Sequence, residues 1–85
     1  MDYKSVTSTP SPDTIKIVLN KEREDNQSTT YTKSQEGQPL FINELLQIEG
    51  VKSIFYVMDF ISIDKTPEAN WDDLTPKITE RLTEL

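Results

Sequence analysis

Hydrophobic and polar residues alternate most regularly near the N-terminus, within residues 14–20. This segment reads TIKIVLN, and Ile15, Ile17 and Leu19 share one parity. Because successive side chains of a strand point to opposite faces, the segment is predicted to be a strand with one buried side. Residues 1–13 are polar and contain Pro10 and Pro12, so they are predicted to form an extended N-terminal segment.

A polar stretch separates this strand from the next apolar cluster. Residues 21–38 contain Tyr31 as their only apolar residue. The charged part, residues 21–28, is predicted to be a mobile loop. Residues 28–33 read STTYTK, and threonine and tyrosine favour strands. We expect this second strand to pair back with the first as a long-looped hairpin and to lie at an edge of the sheet.

Residues 39–50, read as PLFINELLQIEG, have the apolar spacing of a helix. Pro39 suits the first helical position, where its missing N–H is not needed. Gly50 can adopt the left-handed conformation that ends a helix. The segment is therefore predicted to be a helix that packs on the sheet through one broad apolar face.

A second helix is predicted within residues 70–85, which carry a narrow apolar stripe at helical spacing. Two starting points fit this segment. The helix can begin at Trp71 with Asn70 as its cap, in which case Pro76 removes one internal hydrogen bond. It can also begin after Thr75, in which case Pro76 occupies a favourable position in the first turn.

The most apolar stretch is Ser53–Phe60, read as SIFYVMDF, which has large apolar side chains at both parities. Residues 51–57 and 60–65 are predicted to be the third and fourth strands, joined as a tight hairpin. The two faces of the third strand are Val51, Ser53, Phe55 and Val57 on one side, and Lys52, Ile54, Tyr56 and Met58 on the other. We expect the face with Phe55 to point inward, because the opposite face carries Lys52, which is costlier to bury.

These elements predict a single α+β domain over residues 1–85. The order ββαββα favours a two-layer sandwich, in which a mostly antiparallel four-stranded sheet has both helices on one face. The other face would then expose apolar groups, which define a candidate partner surface of Lys16, Val18, Lys52, Ile54, Tyr56 and Met58. Alternatively, the N-terminal segment, the long loop or a twist of the sheet covers the same groups.

Charge and hydropathy narrow the classes of partner. The chain has 9 Lys and Arg against 15 Asp and Glu, a formal net charge of −6. Its basic residues are spread out, so we expect no nucleic-acid partner. No apolar run approaches the roughly 20 residues of a membrane span, and the N-terminus lacks the pattern of a secretory signal. We therefore expect a cytoplasmic protein that has no membrane partner.

The chain contains neither cysteine nor histidine. This excludes Cys and His nucleophiles, thiolate-bound zinc and Cys-held iron–sulfur clusters. The remaining serines, lysines and carboxylates show no catalytic spacing, and the acidic pairs lack the loop context of a cation site. We therefore expect no enzymatic activity, no metal site and no cofactor.

Several segments resemble the N-terminal domain of Nfu/NifU-type scaffold proteins, in the same order and over nearly the whole chain. They are TPSPDTIKI (9–17), LQIEGVKSIF (46–55), DFISI (59–63) and NWDDLTPKI (70–78). These resemble that family's T-P-N-P-N-T-L-K-F, I-E-G-V-K-S-V-F, D-F-I-T-V and D-W-D-E-L-K-P-E-I. The chain departs from the family at Val57-Met58, where a Gly-containing turn is more common, and at Gln38, where serine is frequent.

The resemblance implies a small two-layer domain with an accessory role. In full-length family members this domain precedes a module whose C-x-x-C motif binds an iron–sulfur cluster, and that motif is absent here. The implied function is a non-catalytic protein-interaction or adapter domain, associated with iron–sulfur cluster assembly but not itself cluster-binding. The alternative is a small-molecule or anion-binding protein that uses the exposed sheet face, with Lys16, Lys52 and Tyr56 around the anion.

We expect a monomer with a protein partner. The sequence leaves open whether the chain is a whole protein or the front of a longer one, because residues 70–85 are still in helical periodicity where the sequence ends. Domains that resemble this one occur alone or ahead of helical-repeat segments in Gram-positive bacteria.

Overall fold

The computed structural model describes residues 1–85, which form five strands and two helices. In chain order these are β1 (Tyr3–Ser8), β2 (Thr14–Leu19), β3 (Ser28–Tyr31), α1 (Leu40–Leu46), β4 (Val51–Val57), β5 (Phe60–Lys65) and α2 (Trp71–Thr83). The strands form one sheet in the order β1-β2-β5-β4-β3, and all neighbours are antiparallel. The predicted α+β class is confirmed, although the sheet has five strands instead of the four expected.

The additional strand, β1, lies within the N-terminal segment 1–13. It pairs with β2, so that Val6 lies opposite Ile17 and Ser8 opposite Ile15. This pairing supplies hydrogen-bonding partners to one edge of β2. All residues of β1 after Tyr3 are exposed, so the strand carries little of the alternation that reveals β2.

The predicted hairpin between residues 14–20 and 28–33 is wrong. β2 pairs with β1 and β5, whereas β3 pairs only with β4. The predicted position of β3 at an edge of the sheet is confirmed. The apolar side of β2 accounts for this arrangement, because Ile17 lies opposite Ile61 of β5. The inward Ile61 and Ile63 of β5 bury that side better than the inward Thr29 and Tyr31 of β3 could.

Helix α1 ends earlier than predicted, at Leu46, and its buried residues are Phe41, Ile42 and Leu45. Gly50 has a φ of +103° but lies in the turn into β4, beyond the end of the helix. A Cβ at this position would lie 3.1 Å from the Cβ of Ala69. Both the left-handed backbone and this close approach require glycine.

Helix α2 begins at Trp71 and contains Pro76, which decides between the two predicted starts. The side-chain oxygen of Asn70 accepts a hydrogen bond from the N–H of Asp72 at 2.9 Å and so caps the helix. The carboxylates of Asp72 and Asp73 lie in the first turn, where their negative charge interacts favourably with the positive end of the helix dipole. Neither helix has the length and apolar content needed to cross a membrane.

The core lies between the two helices and one face of the sheet. It consists of 14 buried residues, all of them apolar or aromatic: Ile15, Ile17, Leu19, Tyr31, Phe41, Ile42, Leu45, Ile54, Tyr56, Ile61, Ile63, Leu74, Ile78 and Leu82. On β4 and β5 the cross-strand pairs Ile54–Ile63 and Tyr56–Ile61 form its floor. The rings of Phe41 and Tyr56 pack edge to face, with 5.4 Å between the ring centroids.

A β-bulge at Lys52 determines which side chains of β4 face this core. Val51 lies opposite Lys65 and Ser53 opposite Asp64, so Lys52 is an extra residue without a partner on β5. The extra residue shifts the alternation by one position. Lys52 can therefore be exposed although Ile54 and Tyr56, at the same parity, are buried. The expectation that the face with Phe55 points inward is wrong, because it assumed an unbroken alternation from Lys52 onward.

Arg23 attaches the segment between β2 and β3 to the sheet. Its guanidinium donates to the carboxylate of Asp25, to the Tyr56 carbonyl at 3.0 Å and to the Thr29 hydroxyl at 3.1 Å, and it lies over the Tyr56 ring at 4.9 Å. The bond from Arg23 lowers the pKa of Asp25 below its ordinary value. Burial raises the pKa of Tyr56. These contacts engage most of the guanidinium donors internally, so Arg23 has a structural role.

The orientation of β4 predicts different costs for two adjacent truncations. Ile54→Ala should lower the free energy of unfolding by about 2–5 kcal/mol, because Ile54 is fully buried. Phe55→Ala should cost about 1 kcal/mol or less, because Phe55 is 37% exposed. Chemical denaturation of both variants measures the difference, and a larger loss for Phe55→Ala would contradict the orientation.

The contact between Arg23 and Asp25 predicts a pH dependence. Because the folded-state pKa of Asp25 is lowered, its contribution to stability is present above the ordinary aspartate pKa of about 3.9. That contribution should be lost as the pH falls through the lowered folded value. An NMR titration of the Asp25 carboxyl should give a midpoint below the ordinary value, and Arg23→Gln should raise it. An unchanged midpoint in the variant would exclude Arg23 as the cause.

Candidate functional site

Neither helix packs on the other face of the sheet, and its apolar centre is the candidate functional site. We call this centre the open face, and its members are Lys16, Val18, Phe55, Val57 and Phe60. Val18 lies opposite Phe60, and Phe60 lies opposite Val57, so these three form a row across three adjacent strands. Directly opposite residues of such strands have Cβ atoms about 5 Å apart. The row is therefore a continuous apolar strip, which Phe55 extends along β4.

The hairpin tip between Val57 and Phe60 extends this apolar strip. Its two residues are Met58 and Asp59, and Met58 has a φ of +50° whereas Asp59 has a negative φ. This combination of signs is typical of type II′ turns, which prefer glycine at the first position. Met58 is nevertheless a large apolar residue, and it is 56% exposed. The strain at this position has no compensating burial within the domain.

Lys16 places an unpaired positive charge on the open face. Its ammonium lies 4.3 Å from the centroid of the Phe60 ring, in a cation–π contact. The ion pairs of the chain involve other cations, namely Arg23, Lys65 and Arg81. Lys16 therefore has no carboxylate partner within the domain.

Hydroxyl groups surround the apolar strip. They belong to the outward-facing residues Ser5, Thr7, Thr14, Ser28, Thr30, Ser53 and Ser62. The only acidic residue at an outward position of the strands is Asp64, and its carboxylate accepts hydrogen bonds from Thr14 and Ser53. The face thus combines an apolar centre, a hydroxyl rim that includes the carboxylate of Asp64, and the unpaired cation of Lys16.

The structure separates the six residues of the predicted partner surface. Lys16 and Val18 lie on the open face, Lys52 is exposed at the bulge, and Met58 is exposed at the hairpin tip. Ile54 and Tyr56 do not belong to this surface, because both are buried under the helices. This correction follows from the bulge, which places them on the core side of β4.

The alternative anion site of Lys16, Lys52 and Tyr56 is not assembled. Tyr56 lies on the core side of the sheet, and Lys16 lies on the other side over Phe60. The structure also has no group of three or more Asp or Glu side chains arranged to hold a metal ion.

Sequence reasoning missed Phe55, Val57 and Phe60 as surface residues. The short turn of the β4–β5 hairpin could have identified two of them. A two-residue turn at Met58 and Asp59 pairs Val57 with Phe60, and directly opposite residues share a face. Because the alternation of β5 buries Ile61 and Ile63, Phe60 and its partner Val57 must face outward.

Sequence comparison places this chain among Nfu-type domains and their staphylococcal relatives. The family model described as "Scaffold protein Nfu/NifU N terminal" matches residues 4–85. The chain is 54% identical over 84 residues to Conserved virulence factor C of Staphylococcus saprophyticus, which covers 99% of this chain and 23% of that protein. It is 57% identical over 82 residues to the protein of the same name in Staphylococcus haemolyticus, covering 96% of this chain and 22% of that protein. The chain therefore spans less than a quarter of the length of these curated relatives.

Two solved structures have the same fold over nearly their whole length. The crystal structure of protein SAV1430 from Staphylococcus aureus matches with a TM-score of 0.93 and 51% identity, covering 95% of this chain and 98% of that chain. The solution structure of SeR13 from Staphylococcus epidermidis matches with a TM-score of 0.72 and 54% identity, covering 99% and 98%. Because the family model covers almost all residues, the chain belongs to the family of Nfu/NifU scaffold protein N-terminal domains.

Proposed function

We propose that this domain is a non-catalytic protein-interaction module that binds a partner protein through the open face. The observation that carries this proposal is the apolar row of Val18, Phe60 and Val57, which neither helix covers. Val18, Val57 and Phe60 are half-buried, and Phe55 and Met58 beside them are 37% and 56% exposed. On monomeric proteins the largest contiguous apolar patch is often functional. Aromatic residues and methionine are also enriched at protein interfaces, which fits Phe55 and Met58.

The features of Met58 support the same surface. Its left-handed backbone is strained for a residue with a Cβ, at a cost of about 1–2 kcal/mol. A glycine would relieve that strain, and a polar residue would suit the exposure better. A large apolar residue is therefore better explained by a contact outside the domain than by the stability of the turn.

We further propose that the domain is an adapter in the assembly of iron–sulfur clusters, in the cytoplasm. The family description as a scaffold domain supports this role. The chain supplies no cysteine or histidine ligand, so the proposed contribution is contact with an assembly protein and not transport of the cluster. In the longer virulence-factor relatives, the same contact would bring the rest of the chain to that partner.

Affinity capture tests the open face as the binding surface. The wild-type domain should retain specific proteins from a lysate of Staphylococcus, the genus of the relatives, and Phe55→Ser/Phe60→Ser should lose them. Leu40→Ser is the matched control, because Leu40 is 66% exposed but belongs to helix α1. Circular dichroism establishes that each variant is folded.

The controls decide between the outcomes. Loss of the same proteins with Leu40→Ser would mean that general hydrophobicity caused their retention. Equal retention by wild type and Phe55→Ser/Phe60→Ser would contradict a binding role for the open face. Retained proteins that have no function in cluster assembly would contradict the adapter role while leaving the binding surface in place.

A further inference from the structure

The strands of this protein contain one acidic residue, whereas its helices, turns and loops contain the others. The chain has 15 Asp and Glu residues, but Asp64 is the only one at an outward position of the strands. Thr14 and Ser53 already donate hydrogen bonds to both of its carboxylate oxygens. The five members of the open face therefore include one cation, Lys16, and no carboxylate.

Lys16 is the one charged member of the open face. On its neighbouring strands it lies opposite Thr7 and Ser62, which are both neutral. A partner that covers the Phe60 ring must also cover the ammonium 4.3 Å above it and remove its water. A buried charge without an opposite charge is strongly unfavourable. Any partner of the apolar row must therefore bring an acceptor for this ammonium.

From this constraint, which rests on the proposed function, we infer the chemistry of the partner. We propose that the open face binds an amphipathic protein segment that combines an apolar stripe with a carboxylate placed against Lys16. Lys52, which is exposed at the bulge in β4, adds attraction for a second acidic group. Complementary charge of this kind also accelerates association and suppresses binding of basic competitors.

The same constraint disfavours the other candidate occupants. A second copy of this chain would bring a second Lys16 and an Asp64 whose oxygens are already bonded. Its net charge of −6 also opposes self-association. An anionic lipid surface would supply acceptors, but it would repel the acidic remainder of the domain.

Two synthetic peptides test the proposal on the isolated chain by NMR titration. They share one leucine stripe at helical spacing and differ in having glutamate or lysine at the flanking polar positions. The glutamate peptide should shift resonances of β2, β4 and β5 and bind roughly tenfold or more tightly than the lysine peptide, the factor that corresponds to about 1.4 kcal/mol.

Charge-reversal variants identify the cation that is responsible. Lys16→Glu should remove or invert the preference for the glutamate peptide, whereas Lys77→Glu, an exposed lysine of helix α2, should leave it unchanged. Phe55→Ser/Phe60→Ser should abolish binding of both peptides. Spectra of the free variants establish that each is folded.

Each contrary outcome has a distinct meaning. Equal binding of both peptides on the open face would overturn the charge requirement but leave the proposed function standing. Shifts confined to other surfaces, or no binding of either peptide, would overturn both. Concentration-dependent shifts of β2, β4 and β5 without peptide would identify a second copy as the occupant. Binding to phosphatidylglycerol vesicles that depends on Lys16 would identify a lipid surface, and either result would overturn the proposal.

Discussion

The packing of both helices on a single face of the sheet is the constraint on which the other features of this domain depend. It provides one core of 14 apolar and aromatic residues, and it commits every strand to an inner and an outer side. Both helices of these 85 residues lie on the inner side, so no helix remains to cover the outer side. The apolar row of Val18, Phe60 and Val57 on the outer side is therefore free to contact residues outside this domain.

Much of the architecture could be predicted from the sequence, because the elements that form the core carry strong local signals. The alternation of β2 and β5 and the apolar stripe of α2 each reflect one-sided burial. Strand β1 lacks such a signal, since its position depends on hydrogen bonds to β2 more than on side-chain burial. The pairing order of the strands was also beyond local pattern, because it depends on contacts between segments far apart in the chain.

The candidate site was predicted only in part, because Lys52 is the extra residue of a β-bulge. The cost of burying Lys52 is real, but the bulge at that position lets it be exposed without turning Ile54 outward. Alternation arguments fail wherever a strand contains an extra residue. Pairing across the tight hairpin predicts the face of a side chain more reliably than alternation along a single strand does. This pairing assigns Val57 and Phe60 to the outer face.

The proposed binding surface requires that the apolar row lies on the outer side of the sheet while Ile54 and Ile61 face the helices. Solvent paramagnetic relaxation tests it most directly, with a neutral gadolinium chelate added to the isolated chain and side-chain NMR signals recorded. The Val18 and Val57 methyl groups and the Phe60 ring should relax clearly faster than the methyl groups of Ile54 and Ile61, which are fully buried. Protection of the row together with relaxation of Ile54 would contradict the orientation of the sheet and, with it, the proposed binding surface.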